Sequence, residues 1–419
     1  MDKLFAEIIT IGNEVLAGYT VNTNATFISG RLRENGIAVK WVTTIADEPE
    51  AIKQAWSHAG GRARIIVTTG GLGPTPDDIT KKCIADFFNA PLEPNKQATA
   101  NLKHFFEYRR RTAAGLNLDQ VLAPRGAEIL PNPIGTASGL IMRRDKRVFA
   151  FFPGVPSEMK ALMTEGFIPW LKEHLELPAI HTRLLRTTGI AESRLYEQVR
   201  ETVDSHPQYA LSFLPRQTGV DLRFTFTESD EESLRDWLAF VASIRAKLEK
   251  YIFTDEEREL HDVLLELLRG RGLSLGVAES FTGGLIGDQL TDIAGCSDVF
   301  LGGVAAYDNR VKTTMLGVRE ETLKKHGAVS EETVREMVRG AQRLFNSDCA
   351  MATTGIAGPG GATPKKPVGL SYIAARLGEH EMVREFRFGA NNRRLNKLRG
   401  AMAAMEMLRR LLRQFPDDA

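Results

Sequence analysis

A short run of residues typical of a buried strand leads into a glycine loop twice in this 419-residue chain. Residues 64–69 lead into Gly70-Gly71-Leu72-Gly73, and residues 274–278 lead through Glu279 into Ser280-Phe281-Thr282-Gly283-Gly284. Short, fully apolar strands are typical of parallel sheets that helices cover on both faces. Each loop is followed by a helical pattern, so both segments are predicted to be strand–loop–helix units of an α/β fold.

The alternation of strand and helix patterns extends this prediction to most of the chain. Predicted strands are 7–11, 39–45, 64–69, 140–142, 148–152, 183–188, 220–227, 274–278, 299–307, 348–353 and 369–375, and predicted helices are 24–33, 49–59, one opening near Pro156, 191–203, 231–249, 258–269, 331–345 and 392–414. The sequence therefore predicts two α/β sandwich domains with mainly parallel sheets, residues 1–175 and 256–419, joined by a small α+β insert at 176–255.

The composition excludes several classes of protein. Lys and Arg number 54 against 53 Asp and Glu, so no broad field attracts nucleic acid or an anionic membrane. Cys83, Cys296 and Cys349 are far apart and lack metal-site spacing, which argues against disulfides and structural zinc. No apolar run is long enough to span a bilayer, and no signal sequence opens the chain. We expect a cytoplasmic protein with neither nucleic-acid nor membrane partners.

Ser280 is a candidate nucleophile because it follows a predicted strand directly. Gly283 and Gly284 would open the next helix, where backbone N–H groups can hold an anion. A simpler interpretation is that Ser280 only caps this helix. Tyr307 and Lys312 favour a catalytic role for Ser280, because they lie at and after the end of a strand predicted to end at the same edge of the sheet. A lysine whose pKa is lowered by burial can remove the proton of a serine hydroxyl.

These motifs resemble the CinA C-terminal family over about residues 258–419. The resemblance rests on Ala278-Glu279-Ser280-x-Thr282-Gly283-Gly284, Tyr307-x-Asn309-x-x-Lys312, Gly327-Ala328-Val329-Ser330 and Thr354-Gly355-Ile356-Ala357-Gly358-Pro359-Gly360-Gly361. It implies deamidation of nicotinamide mononucleotide to nicotinate mononucleotide and ammonia, without a cofactor. Ser280 would be the nucleophile, with Lys312 and Tyr307 as its proton-handling partners.

The same resemblance supplies the expected substrate contacts. The backbone N–H groups of the Thr282-Gly283-Gly284 turn would bind the oxyanion, and the loop around residues 355–361 would shape the nucleotide pocket. Expected substrate-binding residues are Thr282, Gly283, Gly284, Asn309, Thr354, Gly355, Gly358 and Gly360. The chain departs from the family pattern at Phe281, where cysteine is usual, and at residues 389–393, which replace a Gly-Asp-Arg motif.

The first glycine loop predicts a phosphate site near carboxylates. Gly70, Gly71, Gly73 and Thr75 would hold a phosphate, and Asp77, Asp78 and Asp47 are candidate ligands of a bridging divalent ion. The alternative is that Asp77 and Asp78 only cap the following helix. Glu14, Asn24 and Glu158 are further candidates, because each follows a predicted strand end.

This half resembles the molybdopterin-binding-like domain of the CinA family. The similarity rests on Gly70-Gly71-Leu72-Gly73-Pro74-Thr75-x-Asp77-Asp78-x-Thr80, Asp47, Pro131-Asn132-Pro133-x-Gly135-Thr136-Ala137 and Phe152-Pro153-Gly154-Val155-Pro156. It implies hydrolysis of ADP-ribose that depends on a divalent ion, Mg²⁺ or similar, and a homodimer. Two other functions stay open: a molybdopterin-binding protein, and a non-enzymatic factor for competence and DNA uptake.

Overall fold

The N-terminal domain is built on a six-stranded sheet in the order β2-β1-β3-β8-β7-β6. The computed structural model describes residues 4–75, 78–108, 118–227, 230–389 and 392–416. Strands β2, β1, β3 and β8 are parallel to one another, β7 is antiparallel to β8, and β6 is antiparallel to β7. The strands are β1 Phe5–Ile11, β2 Ala38–Ile45, β3 Ile65–Thr69, β4 Leu92–Pro94, β5 Leu122–Pro124, β6 Glu128–Leu130, β7 Gly139–Arg144 and β8 Arg147–Phe152.

Helices cover both faces of this sheet and enclose two apolar cores. The helices are α1 Asn13–Leu16, α2 Thr23–Glu34, α3 Pro49–Arg62, α4 Thr80–Phe88, α5 Lys96–Tyr108, α6 Pro156–Ala161 and α7 Ile168–His174, with a 3₁₀ turn at Leu118–Gln120 and a π-helical turn at Leu162–Phe167. Strand β3 is buried along its whole length, which explains its unbroken run of β-branched residues.

The insert is an α+β unit with its own core, in which four strands pair in the order β10-β11-β9-β12. Its elements are β9 Ile180–Thr188, α8 Glu192–Asp204, β10 Ala210–Pro215, β11 Gly219–Thr227, α9 Glu231–Leu248 and β12 Ile252–Thr254. Strand β10 is missing from the predictions, because it is only six residues long and its residues are exposed or only partly buried.

The C-terminal domain has a five-stranded sheet in the order β14-β13-β15-β16-β17. Strands β14, β13 and β15 are parallel to one another, whereas β16 is antiparallel to β15 and β17 is antiparallel to β16. The elements are α10 Leu260–Arg271, β13 Leu275–Glu279, α11 Leu285–Thr291, a 3₁₀ turn at Cys296–Asp298, β14 Phe300–Ala305, α12 Asn309–Leu316, α13 Glu320–His326, α14 Glu331–Phe345, β15 Cys349–Gly355, β16 Leu370–Leu377, β17 His380–Arg387 and α15 Arg393–Gln414.

The predicted fold class is confirmed: the chain contains two α/β domains with mainly parallel sheets and a small α+β insert. Helices α12 and α13 and strand β17 are absent from the predictions. Helices α12 and α13 have only eight and seven residues, and no residue of β17 is fully buried. None of the three elements therefore gives a strong periodic signal.

The chain divides into two compact units, Met1–His181 with Thr227–Asp230, and Thr182–Phe226 with Glu231–Ala419. The insert therefore shares a unit with the C-terminal domain. The buried Arg186 side chain joins them, because its guanidinium contacts Asp221 of the insert, both carboxylate oxygens of Glu259 and the carbonyl of Arg258.

None of the described helices is both long enough and apolar enough to cross a lipid bilayer.

Helix α12, which carries Lys312, packs closely on α14 at Gly340. A β-carbon on Gly340 would lie 2.0 Å from the carbonyl oxygen of Leu316. We expect Gly340→Ala to lower the free energy of unfolding by about 1–3 kcal/mol in denaturant titrations, because the helices must separate. Gly270→Ala in α10 is the matched control, since its β-carbon would meet nothing within 4 Å. Equal stability of the two variants would contradict the close packing.

Candidate active sites

Ser280 lies at the carboxyl end of β13, where its backbone N–H donates to the carbonyl of Thr353 on β15 at 2.9 Å. Glu279 is in register with Ala305 of β14 and with Thr353 of β15. Ser280 therefore sits between the ends of two parallel neighbours, the position where the ligands of open α/β sheets bind. The Ser280 residue is buried, with 9% of its surface exposed.

Helix α11 is capped by Glu279 and not by Ser280. The buried Glu279 carboxylate accepts the N–H groups of Gly284 and Ile286 through Oε2 and that of Gly287 through Oε1, all at 3.0–3.1 Å. The capping interpretation of Ser280 is thus wrong, because another side chain performs that role. The expectation that the Gly284 N–H is available to an oxyanion is also wrong, since the carboxylate already occupies it.

Lys312 is buried in the first turn of α12, with only 1% of its surface exposed. Its Nζ donates to the carbonyl oxygens of Ala306 at 2.7 Å and Tyr307 at 3.1 Å, at the end of β14. Burial lowers the pKa of this ammonium, and the Asp308 carboxylate opposes the shift only in part. A neutral amine that donates two N–H groups to these carbonyls keeps one lone pair that can accept a proton.

Tyr307 is largely exposed, at 63%, and its phenol oxygen accepts a hydrogen bond from Arg393 Nη2 at 2.8 Å. Arg393 Nη1 also donates to the carbonyl of Gly358, at 2.8 Å. Arg393 therefore joins the end of β14 to the loop after β15. Arg393 is absent from the predicted site residues, because the motif around residues 389–393 departs from the family pattern.

Two further residues of α15 approach the loop that carries Ser280. A β-carbon on Gly283 would lie 3.4 Å from Lys397 Nζ, and a β-carbon on Gly400 would lie 2.2 Å from Phe281 Cζ. The first turns of α15 thus bring two cationic side chains, Arg393 and Lys397, to the edge of the sheet where Ser280 lies. Their spacing of four residues places both on one helix face.

The structure separates the expected substrate-binding residues into three groups. The side chains of Thr282 and Thr354 are buried and bonded within the protein, to Thr353 Oγ1 and to the carbonyl of Ala328, so they position loops and do not face a ligand. Gly360 and Asn309 are exposed. Gly283, Gly355 and Gly358 have close neighbours where a side chain would stand, so they permit tight loop packing.

The N-terminal site is a cleft of about 790 Å³ at the carboxyl ends of the parallel strands. It brings together predicted residues that are far apart in the sequence. The expected residues that line it are Glu14, Asp47, Gly70, Gly71, Gly73, Thr75, Asp78 and Glu158. Asn24 donates to Thr69 Oγ1 and to the carbonyl of Gly154, which holds two of the strand ends together. Asp77 lies outside the described residues.

Several polar groups of this cleft already have protein partners. Asp78 accepts the backbone N–H and the hydroxyl of Thr75 through Oδ2, at 2.9 and 2.5 Å, so it shapes the glycine loop. Helix α4 begins at Thr80 without a side-chain cap, so the helix-capping interpretation of Asp78 is wrong. The Gly70 N–H donates to the carbonyl of Phe152 at 3.0 Å and is not free for a phosphate.

A divalent ion fits this cleft only together with a ligand. In the part of the chain that the structure describes, no three His, Cys, Asp or Glu side chains are grouped closely enough to hold a metal by themselves. Mg²⁺ usually keeps several waters and takes one or two carboxylates plus substrate phosphates. Asp47, whose Oδ2 accepts the Asn13 N–H at 2.9 Å, and Asp78 fit that smaller set.

The fold and the two sites define a class of protein with an N-terminal glycine-loop cleft and a C-terminal domain with a serine at a strand end. Residues 7–173 match the Probable molybdopterin binding domain, residues 182–254 the damage-inducible protein CinA KH domain, and residues 257–412 the CinA C-terminal domain. A CinA-like protein of Chloroherpeton thalassium is 42% identical over 419 residues, 98% of this chain and 99% of that protein. The chain belongs to the CinA family.

Solved structures resemble parts of the chain. The competence/damage inducible protein CihA of Agrobacterium tumefaciens is 41% identical and covers 36% of this chain and 93% of its own, with a TM-score of 0.36. The protein CinA of Thermoplasma acidophilum, whose structure is described as being of unknown function, is 32% identical. It covers 42% of this chain and 99% of its own, with a TM-score of 0.37.

The contact between Phe281 and Gly400 can be tested by a double-mutant cycle. Gly400→Ala should lower the free energy of unfolding by about 1–3 kcal/mol, because its β-carbon would overlap the Phe281 ring. Phe281→Cys removes that ring, so Gly400→Ala in this background should cost nothing or should stabilise through helix propensity. Additive effects in denaturant titrations would contradict the contact.

Proposed function

We propose that the C-terminal domain hydrolyses the carboxamide of nicotinamide mononucleotide to nicotinate mononucleotide and ammonia, with Ser280 as nucleophile. The observation that supports this best is the position of the buried Lys312 amine, which binds the carbonyl of Ala306 at the end of β14. On the neighbouring strand β13, Glu279 is in register with Ala305, so Ala306 and Ser280 are the next residues on the two strands. Neighbouring strands are about 4.8 Å apart, so a side chain on one strand end reaches the next. The family resemblance supplies the substrate, because its known activity is this deamidation.

The chemistry needs a base, an acid and a group that stabilises negative charge. Neutral Lys312 accepts the hydroxyl proton as Ser280 Oγ attacks the amide carbon. The resulting ammonium then donates this proton to the amide nitrogen as the C–N bond breaks, so that ammonia leaves and an acyl-enzyme ester remains. Water hydrolyses the acyl-enzyme ester and regenerates Ser280. Because Glu279 occupies the Gly284 N–H, the remaining backbone donors of the Ser280 loop are the groups that can stabilise the oxyanion.

Arg393 and Lys397 also account for a nucleotide substrate. Both cations stand at the sheet edge that carries Ser280, and a phosphate monoester is a dianion near neutral pH. Arg393 is fixed by the Gly358 carbonyl and the Tyr307 phenol, so its guanidinium is held in place before the substrate binds. In this proposal Tyr307 is a positioning residue for Arg393, and Lys312 is the base.

The base is tested by the pH dependence of ammonia release. Activity needs neutral Lys312, and burial lowers its pKa below the ordinary 10.5, so kcat should rise with pH through a midpoint below 10.5. Ser280→Ala and Lys312→Met should each lower kcat by about a thousandfold or more. Lys324→Met, an exposed lysine on α13, is the control and should keep the wild-type profile. Full activity of Ser280→Ala would refute the nucleophile.

We also propose that the N-terminal cleft cleaves ADP-ribose in a reaction that depends on a divalent ion. The specific observation in favour is that Asp47 and Asp78 line one cleft of about 790 Å³ with the glycine loop. A bound ion would polarise the diphosphate. Asp78 and Asp47 would hold the ion, while the loop would orient the diphosphate. This leaves molybdopterin binding as the competing ligand of the same cleft.

The cleft is tested by AMP release from ADP-ribose with Mg²⁺ and with EDTA. Asp78→Asn should remove the Mg²⁺-dependent release, because it loses a charge that the ion needs. Asp145→Asn, in the exposed turn between β7 and β8, should behave as the wild type. Thermal unfolding of each variant separates a folding defect from lost chemistry. Unchanged release by Asp78→Asn, or stoichiometric retention of molybdopterin, would overturn the proposal.

A further inference from the structure

A second cavity, of about 430 Å³, lies inside the unit formed by the insert and the C-terminal domain. Strand β17 and the middle of α15 form one wall, and the turns before α8 and between β10 and β11 form the other. Its volume is within the range of small-molecule sites. None of its lining residues belongs to the Ser280 site or to the N-terminal cleft.

The wall contributed by the C-terminal domain contains an apolar part formed by aromatic and methionine side chains. The rings of Phe386 and Phe388 stack with their centroids 5.5 Å apart and their planes at 19°. Met402 and Met407 of α15 line the same cavity. Aromatic faces and adaptable methionine side chains together suit a planar ring.

The rim of the cavity carries an excess of positive charge. The charged residues that line it are Arg216, Arg384, Arg399, Arg410, Glu192 and Glu406. The carboxylate of Glu406 is already neutralised, because it accepts hydrogen bonds from Arg409 and Arg410. Arg410 is thereby used for Glu406, and Arg216 pairs with Asp221 and Glu259. Among the charged lining residues this leaves Arg384 and Arg399 against Glu192, and the net positive charge favours an anionic ligand.

Arg384 is the cation that is free to bind such a ligand. It lies on β17, where residues of even number from Met382 to Phe388 share the sheet face toward α15. Within the described residues its guanidinium has no hydrogen bond or ion pair. On the opposite face, Glu385 pairs with Arg387 at 2.7 Å.

We propose that this cavity is a second ligand site, which binds a small aromatic anion of mononucleotide size. The ring lies against Phe386 and Phe388, and the anionic group binds Arg384. The site differs from the amidase site, although α15 borders both: Arg393 binds Tyr307 and Lys397 lies near Gly283, whereas Arg399 and Met402 line the cavity.

The fluorescent dye 8-anilinonaphthalene-1-sulfonate, an aromatic anion, tests the site in the full-length protein. We expect saturable binding of one dye per chain. Arg384→Gln should weaken it about tenfold, because a charged hydrogen bond is lost. Ala403→Phe, which fills the cavity, should abolish it, and Arg387→Gln on the opposite face is the matched control with wild-type affinity. Unaltered binding by Arg384→Gln, or an equal loss in Arg387→Gln, would overturn the proposal.

Competition then tests the ligand class. AMP should displace the dye, and adenosine, which has the same ring without the phosphate, should do so at least about tenfold less well. The Arg384→Gln and Ala403→Phe variants assign the bound dye to this cavity. Displacement of the dye therefore reports binding in the cavity and not AMP bound elsewhere. Displacement by neither compound, or by both equally, would contradict an anion site. Because Ser280→Ala should bind the dye normally, failure of this proposal is distinguishable from failure of the amidase.

Discussion

The contact on which the C-terminal site depends is the one between the Glu279 carboxylate and the first turn of α11. Three backbone N–H groups converge on one buried carboxylate, and this fixes the path of the chain from β13 through Ser280 into the helix. A charged acceptor at a helix N-terminus is stabilised both by its hydrogen bonds and by the helix dipole. Because Glu279 precedes Ser280 directly, the same interaction that starts the helix also orients the serine at the strand end.

The rest of that site is assembled around this fixed loop by two helices. Helix α12 delivers Lys312 to the carbonyls at the end of β14, and its close contact with α14 at Gly340 sets its position. Helix α15 brings Arg393, Lys397 and Gly400 to the loops around Ser280. The bulk of Phe281 is accommodated because Gly400 has no side chain, so the departure from the family pattern at residue 281 is matched by a residue 119 positions later.

The two glycine loops perform different tasks despite their similar appearance. In the N-terminal domain the loop is held by Asp78 and by the end of β8, and carboxylates surround a wide cleft. In the C-terminal domain the loop is held by a carboxylate of its own strand and presents a hydroxyl. The first arrangement suits a charged ligand that brings its own cation, and the second suits attack on a carbonyl group.

The sequence by itself determined the fold class, the strand end at which Ser280 stands, and the loops after strands that carry Asp47 and Asp78, because buried strands and their glycine loops leave strong local patterns. Only the tertiary structure decided which groups are still free. Glu279 accepts a hydrogen bond from the N–H of Gly284, and Asp78 accepts one from the Thr75 hydroxyl. Thr282 and Thr354 are buried. The binding roles proposed for Arg393, Lys397 and Arg384 could not be predicted from the sequence either. Their neighbours are set by packing between distant elements, which leaves no local sequence pattern.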